Sequence, residues 1–264
     1  MMNRWIFGIF AFLVTFADAS LASERSACAD EPAPDVVSEP APPRPAAARV
    51  AVGAGALTMP EYPGAAHTRI LPLPFIDAHV GPLYLSTLKG IGLELGEGIL
   101  YGGTSVYVDI GRNESSDPAR LAGRGDIGLA ADPRVYLGLR HALGTMALAH
   151  VETSLHRHLG GSDAFLADAS AGVSLSLGRR QWTLDGSAST TWMDARYART
   201  FFDVQGSGLR DVTISVFASY AINERWSVGA LARVGVLVGD AGSSPVVATR
   251  LQPSTVTFLR YDFR

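Results

Sequence analysis

The sequence predicts an all-β chain, an antiparallel up-and-down transmembrane β-barrel of about 12 strands, with 10 as the alternative count. Three observations carry this. From about residue 99 to the C-terminus, apolar residues alternate with small, polar or charged ones over segments of about 10 to 14 residues, a period of two that marks an extended strand with one apolar face. Soluble strands usually run about five or six residues, whereas these lengths suit strands tilted across a bilayer. The connections also alternate, with HALG (141–144), GRRQ (178–181) and INER (222–225) short, and residues 111–126, 156–165, 194–210 and 239–253 long. A membrane barrel with tight turns at one rim and long loops at the other makes that arrangement. A Greek-key sandwich has no reason to.

Taken in chain order, Arg4 precedes an apolar run over residues 5–16, and small residues follow at Ala17, Ala19 and Ala22. This order predicts a secretory signal peptide over residues 1–22. The run is too short to span a membrane, and no later stretch reaches 18 apolar residues, which excludes a helical inner-membrane protein despite a 47% hydrophobic composition. Arg25 stands three residues before Cys28, where a lipoprotein signal requires an aliphatic residue, so lipid attachment is not expected. As the single cysteine, Cys28 can form no intramolecular disulfide. Residues 23–48 are rich in Pro and Ala and read as a disordered leader, with a proline-rich recognition ligand as the functional alternative. The barrel occupies residues 49–264. A net charge of −3 without a basic cluster argues against nucleic acid.

Strands are expected near 50–58, 69–79, 82–87, 90–96, 99–110, 127–139, 145–156, 165–177, 181–193, 211–221, 226–238 and 254–263. An even number brings both ends to the periplasmic rim. The alternative count arises at Pro72 and Pro74 and at the short third and fourth segments, because proline lacks the ladder donor and belongs at edges or bulges. The tenth segment shows the pattern plainly, with Val212, Ile214, Val216, Ala218 and Tyr220 on one face. Trp182 and Trp192 share an outward face ten positions apart, which at about 3.3 Å per residue and a tilt near 40° separates them by roughly 25 Å along the membrane normal. Two core tryptophans sharing a face are the alternative. With Tyr220 and Trp226 they are assigned to aromatic girdles.

The opposite parity assigns Asp109, Asp132, Arg134, Tyr136, Arg140, His150, Glu152, His156, Asp168, Asp185 and Arg233 to the lumen. Such an interior is either a hydrogen-bonded plug of ion pairs or a narrow water path with a slight preference for cations. His156 with His158 offers two imidazoles to a metal, yet no further ligand set completes a site. Ser154 and Ser170 carry no motif of a nucleophile, and no GxSxG, P-loop or dinucleotide fingerprint occurs. The chain is therefore not expected to be an enzyme or to hold a cofactor or metal.

The segments RVAVGAGALTMPEYPGAAHTRILPLPFIDA, LAGRGDIG and GLRDVTISVFASYAINERWSVGALARVGVLVGDAGSSPVV together resemble the MltA-interacting protein (MipA/OmpV) family of Gram-negative outer membranes. The likeness covers nearly all of residues 49–264, with EYPG, LPLP and GDAxxSP in family order. It implies a non-enzymatic outer-membrane barrel, surrounded by outer-membrane lipid, that acts as a scaffold joining a lytic murein transglycosylase to a murein synthase. A small-solute or ion channel and an osmoregulated surface adhesin are the alternatives. The chain departs from the family in a trimmed loop between Phe202 and Gly208, in a penultimate rather than terminal aromatic at Phe263, and in its long leader. In the family loop motif, Glu61, Tyr62, Pro63 and Gly64, the Pro-Gly pair enforces a tight extracellular loop, and Tyr62 is expected at the membrane interface. In LAGRGDIG, Gly123, Gly125 and Gly128 permit close backbone approach, while Arg124 and Asp126 are expected to bond a neighbouring loop.

Overall fold

The computed structural model describes residues 48–264 apart from Glu97, Gly161, Arg179, Arg180 and Arg264. The signal peptide expected over 1–22 and the leader over 23–48, save Ala48, lie outside the described residues. Twelve strands follow in chain order: β1 (Arg49–Pro60), β2 (Thr68–Val80), β3 (Leu83–Ser86), β4 (Gly90–Leu95), β5 (Leu100–Asp109), β6 (Ala130–Ala142), β7 (Ala147–His158), β8 (Ala164–Leu177), β9 (Trp182–Met193), β10 (Gly208–Ala221), β11 (Trp226–Leu237) and β12 (Leu251–Phe263). Each pairs antiparallel with its chain neighbours, and β1 pairs with β12 from Val50↔Phe263 to Thr58↔Thr255, closing the barrel. The count of ten is thereby set aside.

The even count puts the first and last strand ends together at the rim of short turns. The long connections gather at the other rim, where they carry a 3-10 turn (Glu114–Ser116) and three helices, α1 (Pro118–Leu121), α2 (Ala195–Phe202) and α3 (Gly239–Gly242). Outward positions are apolar along the wall, as in Ile70, Val108, Val135, Ile214 and Leu259, which stay exposed because they face lipid rather than a core. At the short-turn rim the rings of Trp182 and Tyr220 lie 4.8 Å apart and those of Trp226 and Tyr261 5.2 Å apart. Trp192 stands at the opposite end of β9, paired with Leu209 and Ala167.

The sixth strand begins at Ala130 rather than 127. Ile127 is drawn away to pair with Arg112 inside the outer loop, where it is buried. The third and fourth strands are short, only 4 and 6 residues, so β2 has a strand partner on that side only from Asp77 to Val80. The prolines of β2 lie above this point. Thr87, in the β3–β4 turn, finishes the pairing, since Ile76 N donates to its Oγ1 at 2.8 Å, its N donates to Ile76 O at 2.8 Å, and its Oγ1 donates to Pro74 O at 2.9 Å.

Candidate functional site

Two sectors line the interior. The polar one spans β4 to β10 and is built from alternate residues that the strand pleat turns inward. Arg134 sits near its middle: Nη2 contacts Glu152 Oε1 at 2.5 Å and Nη1 donates to the Tyr107 hydroxyl at 2.7 Å. Tyr101 donates to the other Glu152 oxygen at 3.2 Å. Arg140 pairs with Glu94 Oε1 at 3.4 Å and also donates to the Gly98 and Gly96 carbonyls, so it pins the β4–β5 turn to the wall. These groups surround a cavity of about 210 Å³. Further round the wall, His150 lies 2.9 Å from Asp185, to which Ser174 also donates at 2.6 Å. His156 bridges two carboxylates, 3.3 Å from Asp132 and 3.1 Å from Asp168. Asp168 is also bonded by Ser154. His158 Nε2 stands 3.8 Å from Asp109, its ring edge-on to Tyr197 and Phe201.

The structure thus brings Asp132, Arg134, Arg140, His150, Glu152, Asp168 and Asp185 into charge pairs on the inner wall, with Asp109 at the outer end. Arg233 has inward parity on β11 but is exposed and stands apart from these pairs. Every carboxylate in contact with an imidazole here is also on an inward strand position. Among the described residues, no group of three or more His, Cys, Asp or Glu is arranged to hold a metal ion.

The other sector is apolar. Phe75, Val256 and Phe258 are buried, and Leu57, Leu73, Leu88, Phe217 and Leu231 pack against them. Phe75 and Phe258 stack at 4.2 Å, and Phe217 lies 6.3 Å from Phe258. Alternation alone did not reveal this sector, because it treats polar positions as inward. The signal was present in residues 70–76, ILPLPFI, where apolar residues occupy both parities. Neighbouring strands make room for rings on the inner wall. A Cβ on Gly229 would come within 2.4 Å of the Phe258 ring, and one on Gly138 within 2.4 Å of the Tyr101 ring, so a glycine beneath each ring lets it lie flat against the sheet.

The outer loops fold into a lid with its own core, made by Tyr62, Leu121, Ile127, Leu166, Met193, Phe201, Phe202 and Val246 among others. Asp194 caps α2 by accepting from Arg196 N at 3.0 Å and Tyr197 N at 2.8 Å, while its other oxygen accepts from Phe165 N at 3.0 Å. Asp203 ends the helix in the left-handed region at φ 56°. A bulge between Leu209 and Asp211 aims Arg210 inward, where it contacts Asp211 and donates to the Tyr197 hydroxyl at 3.2 Å. Ser244 donates to the Phe202 carbonyl and ties the last loop to α2.

Tyr62 is not at the membrane interface. The residue is 2% exposed inside the lid, and its hydroxyl donates to Asp117 Oδ2 at 2.8 Å. The first loop bends over the mouth because Gly64, at φ 101°, takes a conformation open to glycine, and its carbonyl accepts from Ala248 N and Thr249 N. Glu61 N donates to His67 O at 3.1 Å, closing the same loop around Pro63. Burial, then the Asp117 carboxylate, pushes the Tyr62 hydroxyl well above the usual tyrosine range. Burial pushes Tyr197 up to about 12. Arg112 is lowered, first by burial and then by the nearby Arg124 charge, and its Nη1 donates to Phe201 O at 3.0 Å. Arg124 reaches the neighbouring loop at Asp203, 2.6 Å away, whereas Asp126 accepts from Glu114 N within its own loop.

The family model described as MltA-interacting protein MipA matches residues 52–263. No curated protein sequence matches the chain. Among solved structures, the COG4313 outer membrane channel from Pseudomonas putida F1 aligns with a TM-score of 0.43 at 12% identity, covering 85% of this chain and 99% of that one. The outer-membrane OmpT of Vibrio cholerae gives 0.40 at 9% identity over 82% and 97%. The Pseudomonas putida toluene transporter TodX gives 0.37 at 10% identity over 84% and 90%.

Proposed function

Because the chain belongs to the MltA-interacting protein MipA family of outer-membrane barrels, we propose that it is a non-enzymatic scaffold whose working surface is the periplasmic rim. Its partners on this reading are a lytic murein transglycosylase and a murein synthase. The observation that supports it most is the lid. Tyr62, Leu121, Phe201, Phe202 and Val246 pack as a core across the outer mouth, which favours a scaffold over a through-going channel. The same packing disfavours an adhesin, since Tyr62, Tyr197, Phe201 and Phe202 of the outer loops are folded inward. The turns at 143–146 and 222–225 are exposed and connect strands whose registers are fixed almost to their ends, so they form a rigid platform for docking.

The test is co-purification. Detergent-solubilised protein from intact envelopes is expected to retain a murein hydrolase or synthase, and replacing both turns by Gly/Ser sequences is expected to abolish this while the barrel still folds. Failure of the unaltered protein to retain either enzyme would overturn the proposal.

A further inference from the structure

The wall is incomplete between β2 and β5, where on the facing sides β2 has no strand partner over Thr68–Ile76 and β5 none over Tyr107–Asp109. β3 ends at Ser86 and β4 starts at Gly90, so above their turn β2 and β5 have no strand between them. Where the hairpin stops, β2 and β5 are three strand spacings apart, about 14 Å between axes. Ile70 on β2 and Val108 on β5 are 72% and 69% exposed on the two flanking strands, so the gap opens on hydrocarbon rather than on water.

An unpaired strand edge normally invites another strand. This one offers few of the donors that a strand would need, Ile70 and Thr68 near the rim being the residues of the same parity that keep an N–H. Pro72 and Pro74 have no N–H, and Ile76 N is already bonded to Thr87. The prolines thus remove the two donors at the middle of this edge, which hydrocarbon would leave unsatisfied, and present a smooth surface there. Directly behind the edge lies the apolar sector of the interior. Leu73 and Phe75 are the inward residues of β2 itself, and Leu88, in the turn at the floor of the gap, packs against the same cluster. An apolar surface therefore runs without interruption from the lipid-facing wall to the inside of the barrel. The lid closes the alternative route from the aqueous exterior.

We propose that this gap is a lateral portal through which the acyl chain of an outer-leaflet lipid enters the barrel and lies against Leu73, Phe75 and Phe258. A chain of methylenes needs no hydrogen-bond partner from the edge, matches the apolar lining and is the one molecule present at that depth in abundance.

The experiment is photolabelling of the full barrel in phosphatidylcholine vesicles that carry a diazirine near the acyl terminus, with labelled residues located by mass spectrometry. The expected result is labelling of the inward Leu73, Phe75, Val256 and Phe258 in addition to outward residues such as Ile214 and Leu259. Leu88→Lys, which sets a charge at the floor of the gap, is expected to abolish the inward labelling and keep the outward labelling, the latter serving as the measure of correct folding. Labelling confined to outward residues in the unaltered protein would overturn the proposal, as would undiminished inward labelling in a folded Leu88→Lys variant. So would a dimer on unheated electrophoresis joined through β2, which would assign the edge to a second copy of the chain.

Discussion

Phe75 of β2 and Phe258 of β12 stack with ring centroids 4.2 Å apart, although β1 lies between their strands. They can meet because the β1 residues opposite them, Gly53 across from Phe75 and Gly55 across from Phe258, carry no side chain. The seam that closes the barrel is therefore covered on the inside by two rings lying over a groove of glycine.

This makes Gly55 a sensitive position. A Cβ there would stand 2.0 Å from the Thr257 carbonyl and 3.0 Å from Phe258 Cβ, whereas a Cβ on Gly186 meets nothing within 4 Å. Gly55→Val is expected to destabilise the barrel by about 1–3 kcal/mol, the usual cost of overpacking, with Gly186→Ala nearly neutral. Urea unfolding of the reconstituted protein reports both, and equal midpoints for the two variants would contradict the account of the seam.

Arg134 and Glu152 should behave as a coupled pair. Their side chains are only 18% and 20% exposed, and the contact is 2.5 Å, so removing one partner strands the other charge against the wall. Arg134→Met and Glu152→Met are each expected to cost about 1–3 kcal/mol, reduced from the fully buried case by lumen water. The double variant is expected to cost less than the sum, because neither charge is then left alone. Additive losses in a double-mutant cycle would show that Tyr101 and Tyr107, rather than the ion pair, hold this part of the wall.

Much of this wall was legible in the sequence, and the reason is geometric. A strand pleat assigns faces by parity, so Asp132, Arg134, His150, Glu152 and Asp185 could be placed on one side before any pairing was known. Parity says nothing about what happens where the chain leaves the sheet. Tyr62, Leu121 and Phe201 sit in three separate connections and meet only because those connections fold over one mouth, a relation with no periodic trace. Pro72 and Pro74 were legible as a disturbance of β2 but not as the border of a gap, since that depends on how far the neighbouring hairpin reaches.

The lid carries a pH dependence of definite sign. Tyr62 is raised by burial and by Asp117, and Tyr197 is pushed up to about 12 by burial, so the fold favours their neutral hydroxyls. That contribution is fully present below the ordinary tyrosine value of about 10 and is lost as pH rises through the folded values. Protease sensitivity of the outer loops is expected to increase above about pH 10. Tyr62→Phe, which deletes the bond to Asp117, should weaken the lid at neutral pH by about 1 kcal/mol and flatten its alkaline loss. An alkaline transition unchanged in the Tyr62→Phe, Tyr197→Phe double variant would assign it to other groups.

The last prediction concerns conduction. Beneath the lid the polar sector encloses a cavity of about 210 Å³ lined by Glu94, Arg134, Arg140 and Glu152, and such charged walls hold water. The barrier to ions is then the lid core, in which Phe201, Phe202, Leu121 and Val246 are buried to 2% exposure or less. The unaltered protein is expected to give no discrete openings in a planar bilayer. Replacing residues 195–202, the whole of α2, by a Gly/Ser segment removes Tyr197, Phe201 and Phe202 together and also frees Arg210 from its tyrosine partner. That variant is expected to conduct, with openings blocked when α2 is supplied in trans as a peptide. If the variant folds, as judged by its heat-dependent migration, yet remains silent, the constriction lies in the ion-pair wall itself. Arg134→Ala in the same background should then open it.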